Sequence, residues 1–578
     1  VSYRLNKAGI SHLPDSMYCF AINNEKLVIR LRMALEDEKT VVNIIYGMKY
    51  EYQDHRIKKT LALKYKDANY CYFETILNLY DSRLAYVFEL NVENEKYYFS
   101  EEGLSKEYDF SKGFYNFFQM PYINEADIYP TVDWMKNAVF YQIFVDRFSR
   151  GDFQKEDNYI DLDWGSKPTP TNFAGGDLKG IIQKLPYLQE LGINAIYLTP
   201  IFLSPSNHKY DIIDYYKVDP QFGSEDDLFN LVQKAHRLGM KVILDAVFNH
   251  CSMLSKEFQD VIRKGKESAY YDWFIIHGDF PDVENANYEC FATCNYMPKW
   301  NTSNSEVQDF LTNVGIHWIK KYDIDGWRLD VSDEVSHQFW RHFRLAVKQE
   351  KADCVLIGEN WHHANSFLRG DQFDSIMNYA FTKICLDCFA ENKLTAKETS
   401  NRLNSIFMRY SLQTNQMNLN LLDSHDTHRI FTELKGDENK FLAALALSFV
   451  FVGTPCIYYG TEIAMEGGYD PDSRRTFEWN REKWNLSLFE KIKAIIRLKK
   501  FPVLQDGDIL IKHIENQLII CRTFKDKQLT FQMNLSTKTE PILVADKEIL
   551  SNGKTENNQL DSFGFYISMS EAIKDEKI

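Results

Sequence analysis

The sequence predicts an α/β protein: a (β/α)8 TIM barrel with an inserted small subdomain, an N-terminal β-sandwich and a C-terminal β-sandwich. Three observations predict it. Eight short apolar strands, most followed by a helical stretch, recur over roughly 370 residues, the rhythm of parallel strands with helical crossovers. The first ~120 residues, and those after Phe501-Pro502, follow strand period and turn signals instead. No G-x-G-x-x-G follows an early strand, which counts against the competing open doubly wound sheet of dinucleotide-binding type.

In chain order, Leu27 to Met33 alternates, with Ile29, Leu31 and Met33 on one face and Arg30 and Arg32 on the other. Val41 to Tyr46, Tyr70 to Leu79 and Arg83 to Val92 are further strands, and Glu93-Asn94-Glu95 reads as a turn into Lys96 to Ser100. Short strands with polar turns predict a sandwich over residues 1–122. The barrel is expected over 123–503. Its strands are read at Val139–Phe144, Asn194–Thr199, Lys241–Phe248, Gly326–Val331, Cys354–Gly358, Ser375–Tyr379, Asn418–Leu422 and Pro455–Tyr459. Helical period is read at Leu178–Leu191, Asp226–Leu238, Val307–Lys321, Phe339–Gln349 and Leu488–Leu498. About 55 residues rich in Tyr, Phe, Asn and Asp follow the third strand, too long for a structureless loop, so a subdomain is expected at about 251–305. Strands at Ile509–His513, Leu518–Thr523, Gln528–Asn534 and Gly564–Ser568 predict the C-terminal domain, 504–578.

Composition excludes several classes. With 44% hydrophobic and 26% charged residues, the 578-residue chain is an ordinary globular one, not a disordered one. The 15% aromatic content suits ligands with apolar faces such as sugar rings, although most of these residues must fill core. A formal charge of −15 without a basic run argues against nucleic acid. The longest apolar stretch, Phe441 to Val452, is too short to span a bilayer. The first residues carry no apolar signal-peptide core, and the ten cysteines form no small-domain framework, so a cytoplasmic protein with reduced thiols is expected. Cys385 and Cys388 form a lone C-x-x-C, a poor zinc site.

In such a barrel the active site lies at the C-terminal strand ends. The third strand ends in Asn249-His250. The fourth offers Arg328 and Asp330 on one face at period two. The fifth ends in Glu359, and the seventh in Asp423-Ser424-His425-Asp426. Asp330, Glu359 and Asp426 thus converge from three strand ends. Any one strand-end Asp is commonly a helix cap, but the joint pattern at four strand ends is harder to dismiss. Clustered carboxylates ionise as a unit: one stays charged while another keeps its proton near neutrality. That division gives a nucleophile and a general acid, which retaining glycoside hydrolysis needs. Arg328 beside Asp330 would favour its ionised form. His250 and His425 lie on different strands with no H-x-x-x-H, which weighs against zinc.

The segments Asp245-Ala246-Val247-Phe248-Asn249-His250, Gly326-Trp327-Arg328-Leu329-Asp330, Gly358-Glu359 and Ser424-His425-Asp426 resemble the four signature regions of the α-amylase family, glycoside hydrolase family 13. Met297-Pro298-Lys299-Trp300-Asn301, Ser204 to Asp211 and Trp361-His362 resemble motifs of its neopullulanase, cyclomaltodextrinase and maltogenic amylase branch, as does a β-sandwich ahead of the barrel. The resemblance covers essentially the whole chain. It implies Asp330 as nucleophile, Glu359 as acid/base, and Asp426 as the group that holds sugar hydroxyls. Arg328 would orient the nucleophile, and His250 and His425 would hydrogen-bond the sugar. Tyr210 would be its stacking platform and Trp361 a stacking residue beyond the cleaved bond. Asp470 and Arg474 match the pair that grips the far end. Asp245 falls in the same substrate-binding set, although its depth in the strand also suits a structural role.

Three positions depart from the branch pattern: Val331-Ser332-Asp333-Glu334 where Val-Ala-Asn-Glu is common, Trp300 in place of Leu, and Asn360 in place of an aliphatic residue. The family's calcium loop is represented by Asp152, Glu156, Gly175 and Asp177, but Arg150 and Lys155 occupy ligand positions. Calcium wants several oxygens, so no metal or other cofactor is expected, with Lys155 paired to a carboxylate instead. The function implied is hydrolysis of α-1,4 bonds in cyclodextrins, pullulan and short maltooligosaccharides. The alternatives are a predominant transglycosylase and a catalytically inactive sugar-binding protein. The N-terminal domain, with tyrosines such as Tyr18, Tyr46, Tyr50 and Tyr52, reads either as a starch-binding module on the outside of a monomer or, as the resemblance suggests, as a domain packed over the barrel mouth of a partner. The homodimer is expected, with exposed aromatics suited to its contacts.

Overall fold

The computed structural model describes residues 4–544 and 546–572. All eight expected barrel strands are present: β1 (Phe140–Ile143), β2 (Ala195–Leu198), β3 (Lys241–Ala246), β4 (Gly326–Leu329), β5 (Val355–Gly358), β6 (Ser375–Ile376), β7 (Leu419–Leu421) and β8 (Thr454–Tyr458). Each pairs in parallel with its neighbour from β1 through β6, and β7 with β8 and β8 with β1. The ring closes between β6 and β7 through the parallel bridge Met377–Leu419. The helices Leu178–Leu191, Glu225–Arg237, Ser305–Tyr322, His337–Glu350 and Leu486–Arg497 fall where the sequence period put them.

Strand parity decides what lies inside. Phe140, Tyr197, Ile243, Val355, Ile357 and Leu421 fill the barrel interior, while Tyr141, Ile196, Leu244 and Trp327 face the surrounding helices. Asp245 follows Ile243 by two residues and Arg328 follows Gly326 by two, so both enter the barrel at its C-terminal end.

The N-terminal domain is a sandwich of two antiparallel sheets. One holds Cys19–Asn23, Lys26–Ala34, Tyr70–Asn78 and Ala62–Lys66. The other is built around Val41–Met48, Leu84–Val92 and Glu95–Ser100. The arginine face of Lys26–Ala34 does not meet solvent. Arg30 is fully buried, its Nε 2.7 Å from Glu74 Oε2, with its guanidinium against Phe20 and the barrel residue Phe407. This face docks on the barrel: Asn404 Nδ2 donates to Lys66 O at 2.9 Å and Gln413 Nε2 to Ala21 O at 2.9 Å.

The tyrosine expectation needs correction. Tyr52 and Tyr46 are core residues and Tyr18 is half-buried; of the four only Tyr50 is exposed, at 64%. Tyr46 points inward by strand parity, and the Tyr52 hydroxyl donates to Ile45 O. The exposed aromatic patch is instead Tyr50 stacked on Phe114, 60% exposed, with Tyr115, 89% exposed, next in the chain.

The long insertion folds as a helix, Lys256–Lys264, and a set of bridges that includes His250–Lys299 and Cys290–Pro298. Trp300 is its core: fully buried, stacked on Phe274 and donating from Nε1 to Tyr215 Oη at 3.1 Å. The C-terminal strands form one connected antiparallel sheet in which the long strand Gln559–Glu571 pairs with three others.

Candidate active site

The C-terminal ends of β3, β4, β5 and β7 surround a cavity of about 550 Å³. Asp330, Glu359, Asp426, Tyr210, His250 and Trp361 line it, and Asp470 and Arg474 close one side. Arg328 lies beneath, 1% exposed, and organises the floor. Its Nη1 donates to Asp330 Oδ1 at 2.7 Å and to both Asp245 oxygens at 3.2 Å. Its Nη2 is 3.0 Å from Glu359 Oε2, an ion-pair contact not aligned as a hydrogen bond. Glu359 takes aligned bonds from Val331 N–H to Oε2 at 2.9 Å and from Trp361 Nε1–H to Oε1 at 3.1 Å.

Three buried carboxylates therefore share one guanidinium. Burial pushes the Asp330 carboxyl well up; Arg328 pulls it back, and the charges of Glu359 and Asp245 push it further. Burial likewise takes Asp245 up to about 6, against Arg328 and the hydroxyls of Tyr197 and Tyr210. Three negative charges against one positive leave the cluster over-charged, so it retains a proton as a unit near neutrality. Such a set can present an ionised carboxylate and a protonated one side by side.

Asp245 has no open face. Tyr197 Oη donates to its Oδ2 at 2.6 Å and Tyr210 Oη at 2.9 Å, so it reaches the cavity only through Tyr210. With its one proton given to Asp245, the Tyr210 hydroxyl accepts from His425 Nε2–H at 2.7 Å. The amide of Gln142 then donates to His425 Nδ1 at 2.6 Å. Asp426 lies between His425, 3.3 Å away, and Arg474, 3.3 Å away; Arg474 is also 3.2 Å from Asp470. Phe291 from the insertion stacks on His250 at 4.9 Å. The structure thus brings every predicted site residue to one end of the barrel, with Asp245 and Arg328 beneath the surface. Sequence reading passed over Gln142, Tyr197, Tyr379 and Phe291. Gln142 and Tyr197 share the inward parity of their strands with the predicted residues, a usable signal; Phe291 comes from the insertion and carried none.

Burial keeps the site histidines neutral: His250 falls to about 3 and His425 goes well below the ordinary value. They serve as hydrogen-bonding groups rather than acids. The sign of the stability effect follows. Between pH 6.5 and about 3 the unfolded chain protonates its histidine while folded His250 does not, so stability falls as pH drops through that window. His12, buried in the sandwich and lowered to about 4, acts the same way. Each should cost about 2 kcal/mol at pH 5 relative to neutrality. Urea unfolding of His12→Asn at pH 7 and pH 5 should show a smaller pH-dependent loss than the parent; an equal loss would refute the assignment.

The loop at 150–157 tests the calcium site implied by the family resemblance. Lys155 Nζ donates to Gly175 O at 2.7 Å, Asp177 Oδ2 at 2.9 Å and Gln221 O at 3.0 Å, where it is nearly buried. Asp177 also accepts from the N–H groups of Gly151, Asp152 and Gly180, and Asp152 turns outward to Lys179 at 2.6 Å. The oxygens that converge here are spent on an ammonium, so these residues do not fit a calcium ion with its six to eight oxygen ligands.

Comparison with known proteins agrees over nearly the whole chain. The family described as "Alpha amylase, catalytic domain" matches residues 142–497, and "Alpha amylase, N-terminal ig-like domain" matches 5–124. A cyclomaltodextrinase of Thermoanaerobacter pseudethanolicus is 42% identical over 94% of this chain and 95% of its own. An intracellular maltogenic amylase of Bacillus subtilis is 39% identical over 95% and 94%. A solved cyclomaltodextrinase structure superposes with a TM-score of 0.91 at 34% identity, covering 98% of this chain and all of that one.

Proposed function

Because the chain belongs to the alpha-amylase family, we propose that it is a retaining α-glucoside hydrolase of cyclodextrins, pullulan and short maltooligosaccharides. The observation that carries the reading is the sharing of Arg328 by Asp330 and Glu359 at adjacent strand ends. Asp330 attacks the anomeric carbon while Glu359 gives its proton to the departing glycosidic oxygen; the C1–O bond breaks as an ester to Asp330 forms. Glu359 then takes a proton from water, whose oxygen displaces Asp330. Two inversions return the α anomer. Asp426, held by Arg474 and His425, accepts bonds from sugar hydroxyls. Tyr210 offers its ring to the apolar face of the same sugar, and Arg474 and Asp470 bound the far end. Asp245 and Arg328 support these groups from below. The Lys155 ammonium takes the place of a divalent cation, and no step needs one.

The site of action is the cytoplasm. All ten cysteines are free, most of them buried, and a close relative is described as intracellular. Among the described residues no helix is long and apolar enough to cross a membrane. The exposed Tyr50–Phe114–Tyr115 patch supports a homodimer in which the N-terminal domain of one copy narrows the active-site mouth of the other. Product profiles on β-cyclodextrin, pullulan, maltotriose and soluble starch test both parts. Cyclodextrin should be cleaved faster than starch by a dimer, and Tyr50→Lys with Tyr115→Lys should give a monomer that loses several-fold more cyclodextrin than starch activity. A monomeric parent by light scattering that prefers starch would refute the arrangement.

A further inference from the structure

Trp361 lines both the carboxylate cavity and a second, larger one of about 920 Å³ beside it. Its indole is locked. One face lies flat on Tyr379, ring centroids 3.6 Å apart and planes 6° apart. Tyr379 is itself buried, with its hydroxyl 3.1 Å from Ser424 Oγ. The turn that carries Trp361 is pinned by two of the residues that depart from the branch pattern, Asn360 and Ser332. Asn360 Oδ1 accepts from His362 N–H at 2.9 Å across it, and Ser332 Oγ donates to Glu359 O at 2.6 Å. From this frame the indole N–H, which can only donate, reaches Glu359 Oε1 at 3.1 Å, while Val331 N–H holds Oε2.

We infer that Trp361 is a positioning residue for Glu359, fixing the carboxyl plane for proton transfer to the departing oxygen. Two carboxylate oxygens held from opposite sides cannot rotate about the terminal torsion, which is otherwise broad. Without the indole N–H, Oε1 loses its aligned donor and the carboxyl pivots about Val331. The inference rests on Glu359 as the acid/base, so its test must separate the two claims.

Aryl α-maltosides with phenols of graded acidity occupy the same subsites but differ in their need for a proton. In Trp361→Phe, which keeps a ring on Tyr379 and loses the N–H, kcat/KM should fall about tenfold for the least acidic phenol, the scale of one hydrogen bond. It should stay within about twofold for the most acidic one, since stacking is preserved. Isosteric replacement by benzothienylalanine, sulfur for N–H, should give the same graded loss even if the phenyl variant folds poorly. A uniform loss across the series in both variants would overturn the positioning role and leave Trp361 a stacking residue. Glu359→Gln is the control. If it shows no graded loss, the reading of Glu359 as the acid fails; if it does and the Trp361 variants do not, only this inference fails.

Discussion

Asp330→Ala should lower turnover of maltotriose by on the order of 10⁴ to 10⁶, the scale seen when a covalent nucleophile is removed. The fold should persist. Asp330 is buried beside two other carboxylates, so its loss relieves repulsion, and Arg328 keeps Asp245 and Glu359 as partners. Glu359→Gln should cost on the order of 10² to 10⁴ on the same substrate, the range for a general acid. Proton NMR of freshly formed product should show the α anomer first, since a retaining pair places its carboxyl groups about 5 to 5.5 Å apart. A β anomer would mean that water, not Asp330, attacks the sugar. Asp330→Ala with substantial residual turnover would exclude a covalent route through this residue.

The second large effect is on stability. Lys155→Met should destabilise the barrel by about 3 kcal/mol, because it strands the buried Asp177 charge. That is the low end for breaking a buried pair, since three backbone N–H groups still reach Asp177. It also leaves Gly175 O and Gln221 O without this donor. Burial works against the ammonium and Asp177 works for it, so the pair stands or falls together. In the parent chain, chelator should leave the melting temperature and the activity unchanged. A chelator-induced drop restored by calcium would show that the loop still binds the ion. A Lys155→Met protein as stable as the parent would show that the ammonium holds nothing.

Period and punctuation settled most of the architecture in advance. The eight barrel strands are largely apolar because both of their faces are buried, and such runs announce themselves without tertiary knowledge even where Gln142, Asp245, Arg328 and Asn420 interrupt them. Strand-end polarity marked Asp330, Glu359 and Asp426, since a charged residue ending an apolar strand needs a reason. Period two placed Arg328 and Asp330 together, because residues two apart on a strand share a face.

Relations between segments distant in sequence were not legible, because no local pattern encodes which surfaces meet. Arg30 and Arg32 looked like a polar face, yet Arg30 is sealed between Glu74 and two aromatic rings once the sandwich docks on the barrel. Tyr46 and Tyr52 looked available for a partner, and folding turned both into core. The stack of Trp361 on Tyr379 joins residues after β5 to residues after β6, and only the parallel pairing of β5 with β6 brings those ends side by side. The sequence alone determined which chemistry the chain carries. The tertiary structure decided how it is held: one guanidinium for three carboxylates and one indole N–H for Glu359, because a charge sealed from water is set by whatever the fold packs against it.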